Sequence, residues 1–305
     1  MIPLWRNRRF LSVAGQFIAA FIILIVLAIL WDNLTYNLER LGIQLGFDFL
    51  RSQASFDIGE TLIPYQPSDS YSHALLVGFI NSLRVIIVGI ILASFVGITV
   101  GVARLSDNWL VRKLALVYVE ILRNTPLLLQ LFFWYFAFFI NLPKIENQIS
   151  LWGLITLNNQ GVTLPLGIAI SSELSALILG LTLYAGAFIA EIIRGGIQSV
   201  SKGQWESAKA LGLKPGLIMR LVVFPQALRV IIPPLTSQYL NIAKNSSLAI
   251  AIGYPDIYFV ASTTFNQTGR AVEVMLLIMV TYLTMSLIIA FVMNLLNRTV
   301  QIQER

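Results

Sequence analysis

Uncharged apolar runs of membrane length recur along the chain: Phe10 to Trp31, Val85 to Ala103, Thr125 to Pro143, Leu174 to Ala190 and Val274 to Asn297. An α-helix rises about 1.5 Å per residue, so about 20 apolar residues cross a hydrocarbon core roughly 30 Å thick. Each run predicts a spanning helix. A sixth span is placed from about Gln226 to Ile252, where Arg229, Pro233, Pro234 and Lys244 interrupt the apolar run. These segments are too long, and alternate too weakly, for a membrane β-barrel, which leaves helices as the means of satisfying backbone polar groups in lipid. The expected fold class is an all-α polytopic membrane protein with about six transmembrane helices.

Composition agrees with that pattern. Of 305 residues, 57% are hydrophobic and 12% charged, whereas charged residues make up about 25% of a soluble domain. Orientation follows from where the cations fall. With both termini inside, the cytoplasmic segments hold thirteen Lys and Arg: Arg6, Arg8, Arg9, Arg104, Arg112, Lys113, Arg194, Lys202, Lys209, Lys214, Arg220, Arg298 and Arg305. The outer segments hold Arg40, Arg51, Lys144 and Arg270. The net charge of +6 therefore reflects topology and contact with anionic lipid, not nucleic acid, since no basic stripe is interleaved with aromatics. The first span is read as a retained anchor, because a cleavable signal core is about 7 to 15 residues and ends in a small-x-small site, whereas this run ends in Trp31-Asp32. The chain has no Cys, which removes disulfides, thiolate metal sites and thiol nucleophiles.

Three polar segments organise the rest. Asp32 to His73, the longest outer segment, carries apolar Leu41, Ile43, Leu45, Phe47, Phe49 and Leu50, and is expected to lie on the outer membrane surface or to pack on the bundle. Asn141 to Thr163, with Trp152, is expected at the interface. Between the fourth and fifth apolar segments, Ser201 with Gln204 reads as a capping box, and Gly212 followed by Lys214-Pro215 as a glycine stop. About ten helical residues, roughly 15 Å, are left. Such a helix is too short to span and suits the interface plane.

No phosphate-binding Gly-x4-Gly-Lys-Ser/Thr loop occurs, so energy for any pumping must come from a partner. His73 is the single histidine, which excludes His-rich metal ligation and a Ser-His-Asp triad. No Asp lies in a predicted span, which argues against intramembrane proteolysis and against an enzyme. The predicted spans do contain or end in Arg84, Glu120, Arg123, Glu173, Glu191, Arg229 and Lys244. Each costs about 2.5 to 3.5 kcal/mol at a helix centre facing lipid, so they must pair, snorkel or line water. Arg84, Glu191 and Arg229 lie near span ends and are expected to snorkel; Glu120 and Arg123, three apart, to pair on one helix face. Lys244, beside Asn241, Asn245, Ser246 and Ser247, is the foremost candidate for a polar pathway. It stands against one alternative, an ion pair with Glu120 or Glu173 that holds two spans together.

Glu206, Ser207, Ala208, Gly212, Val222, Phe224 and Pro225 closely match Glu-Ala-Ala-x3-Gly-x9-Ile-x-Leu-Pro, with Ser207, Val222 and Phe224 as the departures. That pattern resembles the cytoplasmic coupling loop of ABC importer permeases. The strings Tyr118 to Leu127 (YVEILRNTPL), Ala190 to Ile197 (AEIIRGGI) and Lys244 to Leu248 (KNSSL) resemble the polar amino acid uptake branch, from roughly Ala74 to the C-terminus. The first helix, Gly46 to Leu50, Phe56 to Gly59 and Ala251 to Asp256 look like the general L-amino acid subgroup. The resemblance implies a type I importer fold, with a five-helix core over residues 78 to 297 and an added N-terminal helix. It divides the chain into an N-terminal anchor and periplasmic segment, 1–73, and a permease transmembrane domain, 74–305, with the coupling helix at about 201–213. It further implies an ATPase subunit dimer that binds ATP and Mg, a second related permease, a periplasmic amino acid binding protein, and residence in the bacterial inner membrane. Glu206, Ser207, Ala208, Gly212 and Pro225 are the expected ATPase-coupling residues; Asn81, Asn124, Lys244 and Asn245 are the expected pathway residues. An importer of another polar solute and a stand-alone secondary transporter, which would show inverted repeats of broken helices, remain the alternatives.

Overall fold

A computed structural model describes residues 8–40, 42, 45–151 and 153–300. Arg6, Leu41, Ile43, Trp152 and Arg305, used in the topology and interface readings, lie outside the described residues. The chain forms two compact units, Met1–Asp48 and Phe49–Arg305. The first holds helix α1 (Arg8–Arg40), whose most apolar window has no buried residue. It runs past the expected end at Trp31, with the side chains of Asn33, Thr35 and Asn37 donating to carbonyls one turn back.

The second unit opens with a 3-10 turn at Asp48–Arg51 and leads into α2 (Tyr71–Ala103), capped by Ser70, whose hydroxyl accepts from the His73 amide at 3.4 Å. Next come α3 (Trp109–Arg123), capped by Asn108, α4 (Leu127–Phe132) and a π-helical segment, Phe133–Phe139. Strands β1 (Ile149–Leu151), β2 (Ile155–Asn158), β3 (Gly161–Leu164) and β4 (Ile168–Ser171) pair antiparallel in sequence order. Helix α5 (Ser172–Gln198) leads to α6 (Lys202–Ala210), α7 (Pro215–Ile218) and a π turn at Met219–Val223. These continue into α8 (Phe224–Asn245), a 3-10 segment at Ser246–Ile252, α9 (Ile257–Thr268) and α10 (Ala271–Val300). Among the described residues, five helical stretches are long and apolar enough to cross a membrane, and six if α3 and the α4 segment, bent by 103°, count as one.

Several boundaries depart from the apolar runs. Helix α2 begins fourteen residues before Val85, because the Asn81 amide, the Ser82 hydroxyl and the Arg84 guanidinium, which break the run, each find a partner inside the protein. Thr125 to Pro143 is no single straight span. Pro126 stands at the cap of α4, and since proline cannot donate an amide and disfavours a helical residue before it, the chain turns there and Trp109–Arg123 becomes the other arm. The expected outer loop after Asn141 contains the four-stranded sheet, where Val162 pairs with Leu157 on one side and Ile170 on the other. Residues 49–73, grouped by sequence with the anchor, pack in the second unit: Phe49, Ala54 and Ile58 share a core with Tyr71, Val77, Ile257 and Val260.

The largest helix contact is between α2 and α5. Small residues permit it, as in membrane interfaces generally. A Cβ added at Gly97 would stand 2.5 Å from Ile189, at Gly101 2.8 Å from the Ala190 carbonyl oxygen, and at Gly186 3.0 Å from Val96. The two backbones meet where a side chain has no room.

Candidate functional site

Helix α6 is built to hold still while exposing one face. Its C-terminus is a Schellman turn: Gly212 takes φ +73°, its amide donates to Lys209 O at 2.9 Å, and the Leu213 amide donates to Ala208 O at 3.2 Å. Glycine adopts this left-handed geometry without the Cβ clash other residues suffer. Leu213 turns back onto the core, and Pro215 starts α7 at a position where its missing amide costs nothing. Inward, Ala208 is 3% exposed, and with half-buried Trp205 it joins Ile197, Val200, Ile218, Val223 and Ala227 in one cluster. The expected capping box does not form. Ser201 is the N-cap but makes no side-chain cap bond, and the Gln204 side chain accepts from Gln226 Nε2 at 3.2 Å, tying α6 to α8. Glu206, Ser207, Lys209, Gly212 and Pro225 are exposed, and Leu211 at the tip is 80% exposed.

The charged residues of the spans divide into paired and unpaired. Arg84 and Glu191 do not simply snorkel. Arg84 Nη1 lies 2.5 Å from Glu60 Oε1, and the other Glu60 oxygen accepts from the Ser171 hydroxyl. Arg104 Nη1 lies 2.5 Å from Glu191 Oε2, and Arg194 binds the second Glu191 oxygen. Glu120 and Arg123 form no ion pair among the described residues: Asn124 donates to Glu120, and Arg123 sits 5.1 Å over the Phe188 ring. Glu173 accepts from Tyr135 OH at 2.7 Å.

The four expected pathway residues lie at three places, Lys244 and Asn245 together. Asn81 is fully buried and donates to Glu60 O at 2.8 Å and Pro255 O at 2.9 Å, stapling three segments. Asn124 caps α3. Lys244 is exposed and Asn245 half-buried at the end of α8. Among the described residues Lys244 has no ion pair with Glu120 or Glu173. Ser237, Asn241 and Lys244 are all exposed on α8, at the i, i+4, i+7 spacing of one face. Sequence reasoning did not reach two features. One is the pairing of Glu60, remote in sequence from Arg84 and Ser171. The other is Asp256, fully buried, which caps α9 by accepting from the Phe259 amide at 2.8 Å and takes a hydrogen bond from Tyr282 OH at 3.2 Å. Burial pushes the Asp256 carboxyl up to about 7, against the downward pull of these donors.

A helical, polytopic chain with a short polar helix seated between two spans defines the membrane subunit of a transporter. Residues 86–302 match the family described as binding-protein-dependent transport system inner membrane component, and the chain belongs to that family, as a multi-pass protein of the bacterial inner membrane. YhdX of Escherichia coli K12 is 40% identical, covering 95% of this chain and 94% of that protein. The general L-amino acid transport system permease protein AapQ of Rhizobium johnstonii is 37% identical, over 93% and 91%. The glutamine transport system permease protein GlnP of E. coli K12 is 30% identical, over 75% and 93%. A crystal structure of an amino acid ABC transporter with histidines superposes with TM-score 0.60 at 27% identity, over 75% of this chain and 95% of that one. An inward-facing MetNI methionine transporter, at TM-score 0.58 and 21% identity over 75% and 97%, shares the fold.

Proposed function

We propose that this chain is a permease subunit of an ATP-driven amino acid importer, forming half of the translocation pathway and receiving force through α6. The observation that carries the reading is the seating of α6: Trp205, Ala208 and Gln204 anchor it, while Glu206, Ser207 and the Gly212 turn face outward. A separate ATPase dimer binds ATP and Mg and docks there. The amino acid substrate class rests on the relatives YhdX, AapQ and GlnP, all of which are named as amino acid permeases. The partners are a second related permease and a periplasmic binding protein, and both termini lie in the cytoplasm.

The exposed row Ser237, Asn241 and Lys244 supports the half-pathway. Lys244 stands in the last turn of α8, and a lysine that has no ion pair among the described residues and shares its face with exposed Ser237 and Asn241 is disfavoured against lipid, so this face is turned toward water or the second permease. Asn81, Asn124 and Asn245 complete the pathway assignment, with Asn81 acting by fixing the outer end of α2. Co-purification of an ATPase with the chain, followed by uptake assays in proteoliposomes with the binding protein and a panel of amino acids, tests the reading. Failure of any ATPase to co-purify refutes it. Orientation is tested by single cysteines: Ser68→Cys is expected to react with an impermeant thiol reagent in spheroplasts and Ser201→Cys to resist it, and the reverse pattern inverts the topology.

A further inference from the structure

Helices α2 and α5 are joined at two levels by carboxylates, and the two joints are equally spaced on each helix. At the first level Glu60 bridges Arg84, near the middle of α2, and Ser171, the N-cap of α5. At the other, Glu191 of α5 bridges Arg104, the C-cap of α2, and Arg194. From Arg84 to Arg104 and from Ser171 to Glu191 the chain advances twenty residues, about 30 Å of helix, which is the thickness of the hydrocarbon core. Such a separation would set the two joints at opposite membrane–water boundaries. There a partly buried ion pair escapes the full cost of hydrocarbon yet keeps more strength than an exposed one; Arg84 and Glu60 are each 19% exposed, Arg104 14% and Glu191 26%. Between the joints run Gly97, Gly101 and Gly186, where the backbones are too close to slide past Ile189, Ile193 and Val96. Close-packed interfaces of this kind switch between discrete arrangements and do not deform smoothly.

The outer joint is built on the segment before α2: Asn81 takes the Glu60 carbonyl and the Pro255 carbonyl together. The other joint lies about two helical turns before the end of α5, and Gln198 is followed after three residues by α6. A load path thus leads from residues 49–70, through paired helices, to the proposed docking helix.

We propose that α2 and α5 act as one strut that transmits conformational change between the outer segment and α6, with Glu60 and Glu191 as the positioning residues that lock it at its two joints. This rests on the reading of α6 given above. Each glutamate works through neighbouring helices and touches neither ATP nor the transported solute.

The test uses the complete transporter in proteoliposomes, with basal ATPase, ATPase stimulated by loaded binding protein, and melting temperature measured for Glu60→Gln, Glu191→Gln and the double variant. The amide keeps the size of the carboxylate and removes its charge. Each single variant is expected to assemble with unchanged basal ATPase and to lose at least fivefold in stimulation, the scale of an ordinary coupling free energy. The double variant is expected to lose no more than the weaker single, because a strut released at one joint no longer carries load. Stimulation retained in an assembled single variant overturns the proposal, and so does a multiplied loss in the double. If Glu191→Gln does not assemble, Glu191→Asp, which keeps the charge and shortens the reach, decides in the same way: lowered stimulation supports the strut and full stimulation overturns it. Absence of stimulation in the unaltered complex would instead count against the assigned function of α6.

Discussion

Replacing Gly97 by alanine adds one methyl group at the tightest point of the α2–α5 seam. The new Cβ would lie 2.5 Å from both Cβ and Cγ2 of Ile189 and 3.1 Å from Gly186 O. Ile189 is fully buried, and its clashing atoms stand at the branch point next to the backbone, so no distal rotation relieves the contact. Overpacking of this kind costs about 1 to 3 kcal/mol, while the higher helix propensity of alanine returns up to about 1 kcal/mol, which leaves a central net loss of about 1 kcal/mol. Gly195, in α5, has no atom within 4 Å of an added Cβ, so Gly195→Ala feels the propensity gain alone and serves as the matched control. For a chain of this size, 1 kcal/mol moves the melting temperature by about 2 to 4 °C. Thermal melting of the detergent-solubilised complex is expected to place Gly97→Ala several degrees below the parent and Gly195→Ala at or slightly above it. Equal melting temperatures for the two variants would refute the tight seam, and with it the mechanical basis of the paired helices.

Gly212→Asp, exposed and with open space around its Cβ, is expected to cost about 1 kcal/mol or less in fold stability, because Asp tolerates the left-handed region, yet to weaken ATPase docking; normal stimulation by loaded binding protein would remove α6 from the mechanism. Lys244→Met is expected to leave fold stability within about 0.5 kcal/mol of the parent, as for an exposed site without an ion pair, while abolishing uptake; full uptake would leave the lysine without a part in transport. Asp256 holds its proton to about pH 7 when folded and releases it near 3.8 when unfolded, so the folded state binds more protons in that window and stability falls as pH rises from about 4 to 7, by up to about 4 kcal/mol, then levels off. Asp256→Asn is expected to remove that slope, and parallel melting curves for parent and variant from pH 5 to pH 8 would show the carboxyl to be ordinary.

Local patterns in the chain determine its class, most of its spans and the position of α6, because each depends on neighbours in sequence. A run of about 20 apolar residues must lie in lipid, and Gly212 with Pro215 three residues later must end a helix. The Schellman turn was legible for that reason. Tertiary structure decided which charges pair. Glu60 meets Arg84 and Ser171 across 24 and 111 residues, and Arg104 meets Glu191 across 87, separations at which no periodicity links the partners. The same holds for the extension of α2 back to Tyr71: Arg84 reads as a break in an apolar run until Glu60 neutralises it and Asn81 finds two carbonyls. Gln204 looked like a capping residue because capping is a local competition, but Gln226 from α8 offered its side chain another partner. Lys244 reads as an intramembrane charge in sequence. Only the packing of α8 shows that its face is left open by the rest of the chain, since burial belongs to the assembled helices and to no single one of them.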